Sequence, residues 1–145
     1  MFLWTFRRNE NDVVNLYNTL SPVMQLATGG NMLNFGYWED NDISPVTAQN
    51  RLCDITASMA ELDSAKSLLD IGSGLSSPAM KWSSLYPNIE ISCVNTNYGQ
   101  LQAAKNLLKE KSPDYKIYGI NSTSTMLPFV KNSIDRIIAL ESAQH

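Results

Sequence analysis

Near the middle of the chain, Asp70-Ile71-Gly72-Ser73-Gly74 joins a carboxylate to a glycine loop directly after the apolar pair Leu68-Leu69. Glycines at such a point let a ligand lie against the backbone, with helix-end N–H groups nearby. A lone G-x-G spacing belongs to nucleotide-binding loops and equally to a bare strand-to-helix turn whose aspartate only caps a helix. The flanking residues narrow the chemistry. A dinucleotide fingerprint carries a third glycine where Ser77 stands, and its ligand brings a doubly negative pyrophosphate. Asp70 repels such a ligand and suits one with positive charge. S-adenosylmethionine, with an ammonium and a sulfonium, meets that requirement better than a nicotinamide dinucleotide.

A second group of candidates ends the next apolar run, in which Ile89, Ile91 and Cys93 alternate before Val94-Asn95. A ribose diol needs an acceptor or amide at about this distance beyond the glycines. Asn95 can accept and donate there without bringing charge, and Tyr98 can stack on or flank an adenine. Asn95 reads equally well as a turn residue. Asn97 reads more simply as an N-cap, forming a capping box with Gln100. Cys53 and Cys93 lie forty residues apart, and the chain has one histidine, so no disulfide framework or metal site is expected. The two thiols read as small buried hydrophobes in a reducing cytoplasm.

Elements that could hold these residues in place follow from the apolar spacing. Val13, Leu16, Tyr17 and Leu20 mark one face of a helix that Ser21-Pro22 should close, opening a short second helix through Leu26. Residues 32–40 form an aromatic loop. Ser44-Pro45 then starts a helix with the stripe Ala48, Leu52, Ile55, Met59 and Leu62. From residue 64 the rhythm becomes strand, loop, helix: strands at 66–71, 89–95, 115–120 and 134–140, with helices carrying Met80 and Leu85, then Leu101, Ala104 and Leu108. Alternation of this kind predicts an α/β fold with a parallel sheet, whose ligands sit beyond the carboxyl ends of the strands. The glycine loop, Asn95 and the polar stretch 121–125 all fall at such ends. Because the chain stops just after the fourth strand, that strand should be a bare apolar edge, and an incomplete domain of a longer polypeptide is expected.

The 145 residues, 43% of them hydrophobic, suffice for one globular domain. Eleven basic against fourteen acidic residues, with no basic block beyond Arg7-Arg8, argue against nucleic acid as a partner. No apolar run approaches the roughly 18 residues of a membrane span, and the opening apolar stretch precedes its arginines, the reverse of a secretion signal. The chain reads as cytoplasmic.

Four segments together resemble one family. Asp70-Ile-Gly72-Ser-Gly74, Val94-Asn95-Thr-Asn97-Tyr98-Gly-Gln100, Leu127-Pro128-Phe129 and Leu140-Glu141-Ser142-Ala143-Gln144-His145 are similar, in order and spacing, to class I S-adenosylmethionine-dependent methyltransferases. The likeness is greatest to the small-molecule subgroup acting on tocopherols, sterols, sugars and polyketides. Asn34-Phe-Gly36-Tyr37-Trp38 resembles that subgroup's cofactor-covering Gly-Tyr-Trp loop. The resemblance implies a Rossmann-like domain whose first four strands are present, with residues 1–63 as an N-terminal helical lid and 64–145 as the front of the cofactor-binding domain. It implies S-adenosyl-L-methionine as cofactor, with Asp70, Gly72 and Gly74 at its methionine end. Asn95, with Thr96 beside it, would take the ribose. Thr123, standing where the family usually has Asp or Ser, and Ser124 would take the adenine. Glu141 would lie beneath the methionine moiety, and Tyr17, Tyr37 and Trp38 would close over the site.

Such a transfer is a direct displacement at the methyl carbon, helped mainly by orientation and exclusion of water. A base is needed only for a poor nucleophile, and His145, just past the fourth strand, is the candidate. The acceptor would be a small molecule; a homo-oligomer stays open, as the sequence does not give the oligomeric state. A second reading, a non-catalytic cofactor-binding or partner module of the same fold, is permitted by the neutral Asn95 and Thr123. A nicotinamide-dependent reductase is disfavoured by Asp70 and the missing third glycine.

Overall fold

The computed structural model of the protein describes residues 9–40, 44–111 and 114–142. Helix α1 (Glu10–Thr28) is started by Asn9, whose side chain accepts from the Asp12 N–H, and is stopped by Gly29 at φ +73°. The helix expected to end at Ser21-Pro22 instead runs straight through Pro22. Proline withdraws one backbone donor and crowds the preceding turn. Here its ring is exposed, and the Ser21 hydroxyl adds a bond to the Tyr17 carbonyl at 2.6 Å in that same turn.

Helix α2 (Pro45–Met59) begins where Ser44-Pro45 predicts, but it is rotated from the expected stripe. Its buried residues are Ala48, Gln49, Cys53 and Ala57, while Met59 is 82% exposed. The cause is a polar residue. The Gln49 amide donates to the carbonyls of Met32 and Asn34 at 3.1 and 2.7 Å, so the helix turns that side toward the 31–34 segment. Small side chains on the same face admit Trp82, which is fully buried and donates its indole N–H to the Cys53 carbonyl at 3.0 Å.

The remaining elements alternate: β1 (Ser67–Ile71), α3 (Ser77–Leu85), β2 (Glu90–Asn95), α4 (Tyr98–Lys111), β3 (Ile117–Asn121) and β4 (Arg136–Ile138). The four strands form a parallel sheet in the order β3-β2-β1-β4, the α/β Rossmann-like arrangement expected. Leu62, Leu68, Ile89, Ile91 and Cys93 pack with Trp82 into one core. On α3 it is Trp82, rather than the expected Leu85, that anchors this core; Leu85 is half exposed. β4 pairs with β1 on the side away from β2, and Ile137 on it is exposed. Its start is pinned by Asp135, whose carboxylate accepts from the Lys66 and Ser67 N–H groups at 2.8 and 3.0 Å, while its own N–H donates to Ser67 Oγ. Those donors hold the Asp135 carboxyl below the usual carboxylate range. Because the chain leaves β1 toward β2 and returns to its other side at β4, the strand order reverses at β1, where ligands enter open α/β sheets. Among the described residues no helix is long and apolar enough to cross a membrane.

Candidate functional site

A cleft of about 400 Å³ opens at the carboxyl ends of the strands. Its floor is the glycine loop. The N–H groups of Gly72 and Ser73 both donate to the Val94 carbonyl, at 2.8 and 3.1 Å, folding the loop across the end of β2. Gly72 has φ +69° and lies so near Ser142 that a Cβ would strike that side chain. Both the backbone conformation and the space therefore require glycine there. Ser76, at φ +56° and buried, leads into α3, and Ser77 donates to the Asn31 carbonyl at 3.0 Å, tying the floor to the loop after α1.

At the base of this floor sits Asp70, 3% exposed. Its Oδ2 has no hydrogen-bond partner, and burial raises the carboxyl pKa to about 7. The only other buried side-chain polar atom without a partner among the described residues is Asn34 Oδ1, and Asn34 lines the same cleft. An orphaned buried acceptor is costly unless something supplies a donor. The site thus fits a cationic, donor-bearing ligand group.

The β2 end is built in the opposite manner. Asn95 donates to the Gly74 carbonyl and to Gln100 Oε1 at 3.1 and 2.8 Å, and its Oδ1 accepts from the Asn97 N–H at 3.0 Å. Asn97 caps α4 as expected, accepting from the Gln100 N–H at 3.1 Å. The Gln100 side chain does not close the capping box; it donates to Ser21 Oγ on α1 at 2.8 Å. Asn121, at the end of β3, donates to the carbonyls of Asn95 and Thr96, at 2.9 and 3.0 Å.

Of the residues expected to bind, Asp70, Gly72, Gly74, Asn95 and Thr96 line this cleft, and Thr123 and Ser124 line its β3 side. Thr123 already shares its hydroxyl with Thr125 at 2.8 Å. Tyr17 of α1 forms part of the roof, and Glu141 forms part of the β4 wall. The Glu141 carboxylate accepts from the Phe35 N–H at 2.7 Å, so it bridges β4 to the aromatic loop. Tyr37 and Trp38 are not brought to the cleft. The Tyr37 N–H is tied to the Ala48 carbonyl, Gly36 (φ +81°) packs on α2 too closely for a side chain, and the Trp38 indole donates back to the Phe35 carbonyl. Both rings are half exposed. Asn31, Leu33 and Asn34 of that same loop take their place.

His145 lies outside the described residues. Sequence reasoning passed over Asn34 and missed Gln100 as more than a cap; a buried amide gives no periodic signal. Neither thiol is poised for chemistry: burial pushes Cys53 up to about 12 and Cys93 higher still. No cluster of metal-ligating side chains occurs among the described residues.

No protein-family model matches the chain. The curated protein 27-O-demethylrifamycin SV methyltransferase of Amycolatopsis mediterranei is 27% identical over 135 residues, covering 93% of this chain and 49% of the relative. Among solved structures, that of the [4+2]-cyclase SpnF superposes with a TM-score of 0.81 at 25% identity, covering 90% of this chain and 48% of the other. Mycolic acid cyclopropane synthase CmaA1, solved with SAH and CTAB, gives 0.73 at 16% identity over 91% of this chain and 46% of its own, a likeness of fold. The chain spans about half the length of the curated relatives it matches over most of its own length. By sequence and by fold together, it is similar to the small-molecule subgroup of class I S-adenosylmethionine-dependent methyltransferases.

Proposed function

We propose that this cleft binds S-adenosylmethionine and that the whole protein moves its methyl group to a small-molecule acceptor by direct displacement at the methyl carbon. The observation that carries the reading is Asp70: a buried carboxylate, one oxygen without a partner, at the base of a cleft at the strand-order reversal. An anionic ligand would be repelled and a neutral one would supply at most a donor, whereas an ammonium supplies both donor and charge. The bound cofactor supplies the electrophilic methyl on its sulfonium.

The chain's own residues then have separate tasks. Asp70 holds the cationic end against the glycine loop, where Gly72 and Gly74 allow close approach. Asn95 accepts from the ribose, and Thr123 with Ser124 borders the adenine. α1, through Tyr17, and the segment after it roof the site and exclude water, so orientation and desolvation provide most of the rate. Glu141 holds the loop after α1 to the β4 wall. The acceptor would enter outside the cofactor cleft, and the buried thiols suit a reducing cytoplasm.

Calorimetric titration of the full-length protein with S-adenosylhomocysteine and with NAD tests the binding step. Micromolar affinity for the first and none for the second is expected; the reverse order would end the proposal. Transfer of labelled methyl to an extract of small metabolites tests the reaction itself, and binding without transfer would leave a cofactor-binding module in its place.

A further inference from the structure

Charge is distributed one-sidedly around the cleft. Three carboxylates line it: Asp70 at the base of the floor, Glu141 on the β4 wall and Glu10 at the start of α1. Among the described residues no lysine, arginine or histidine lines it. Basic side chains in ion pairs lie elsewhere: Arg51 meets Glu39, Lys81 meets Asp54 and Arg136 meets Glu61, at 3.5, 2.8 and 3.2 Å. A concave site with low-dielectric walls focuses the field of such charges. The three carboxylates do not act alike. Asp70 is buried with an oxygen that has no partner, so it needs a donor in direct contact. Glu10 is exposed, and the Glu141 carboxylate already accepts from the Phe35 N–H at 2.7 Å. These two bear on a ligand through their field.

Methyl transfer changes a single charge on the cofactor. The bond from sulfur to the methyl breaks and its electron pair stays on sulfur, while the acceptor's nucleophile takes the methyl and releases its proton to solvent. The sulfonium thus becomes a neutral thioether, and the ammonium and carboxylate of the same molecule are unchanged. S-adenosylmethionine carries one net positive charge and S-adenosylhomocysteine carries none. We propose that Glu10 and Glu141 make the cleft selective for the charged cofactor over its neutral product, so that turnover itself loosens what remains bound. Asp70 takes no part in this discrimination, because the ammonium it would meet is present before and after transfer. The inference rests on the cofactor reading given above.

The test is affinity of the full-length protein for S-adenosylmethionine, S-adenosylhomocysteine and sinefungin, whose added amine keeps the positive charge that the product lacks. The two charged ligands should each bind about three- to tenfold more tightly than S-adenosylhomocysteine, as for one charge facing two carboxylates across a partly solvated cleft. Raising the salt should shrink that margin. Glu10→Gln and Glu141→Gln should each cut it about two- to threefold, and the double variant should remove it. The second variant keeps an acceptor oxygen for the Phe35 N–H. Where it fails to fold, Glu10→Gln, at an exposed position, decides alone. Asp70→Asn should weaken all three ligands by the same factor. Equal affinities for charged and neutral ligands, or a margin that neither glutamine variant narrows, would overturn the selectivity while leaving the cofactor assignment intact. If the wild-type protein binds none of the three, the methyl-transfer reading fails and the selectivity falls with it.

Discussion

The two strand ends that form the cleft handle buried polarity in opposite ways. At the end of β1, Asp70 is buried with an oxygen that meets no donor. At the end of β2, Asn95, Asn97 and Gln100 are also buried, yet their side chains are joined to one another, to α1 and to the glycine loop. A paired network belongs to the architecture and adds to stability; an unpaired charge subtracts from stability until a ligand arrives. The β2 end is thus finished by the chain itself, and the β1 end is finished by what binds.

The contrast breaks most sharply at Asp70. Asp70→Asn keeps the shape and removes the charge, and should weaken S-adenosylmethionine at least about a hundredfold, as for loss of one member of a buried charged pair. The same change should raise the melting temperature of the ligand-free protein at pH 8. A destabilised variant that still binds would contradict both halves of the comparison.

The pH dependence follows with a defined sign. The Asp70 carboxyl is raised from 3.8 to about 7, so between those values the folded protein holds a proton that the unfolded chain has lost. Ligand-free stability therefore falls as pH rises from about 4 to about 7. A bound cation and that proton compete for one carboxylate, so affinity should rise about tenfold per pH unit up to about 7 and then level. Calorimetry in buffers of different ionisation enthalpy reads the proton released; flat affinity across that range would show that Asp70 does not meet the cation.

A smaller effect is expected from the paired end. Asn97→Ala removes the α4 cap and leaves Asn18 without that partner, and should cost about 1–2 kcal/mol in denaturant unfolding. The smallest belongs to Trp38→Ala, since Trp38 does not line the cleft: S-adenosylhomocysteine affinity should stay within about twofold. A large loss there would mean that the aromatic loop swings over the ligand.

What could be read in the residues alone divides along the same line. Alternating apolar runs and the glycine loop yielded the parallel sheet and the position of Asp70, because period and punctuation are local signals. Pro22 inside α1, the rotation of α2 about Gln49 and the reach of Gln100 to Ser21 were illegible. Each depends on a partner distant in sequence, and a buried amide is spelled the same way as an exposed one. Tyr37 and Trp38 stand apart from the other expected site residues. Their sequence resembles a covering loop, while in the structure Gly36 packs against α2 and neither ring lines the cleft.

The clamp at Asp135 bears on the order in which the site comes into being. It joins residues 68 positions apart, whereas β1 with β2 and β2 with β3 each close much shorter loops. Long closures carry the larger entropic cost, so β4 is expected to join the sheet after the pairing of β1 with β2, which a pulsed hydrogen-exchange experiment would check. Leu140, Glu141 and Ser142 arrive with it. A chain can therefore hold its glycine loop and its Asn95 network before the β4 wall of the cleft is in place, and its capacity to take up a ligand reports the docking of β4.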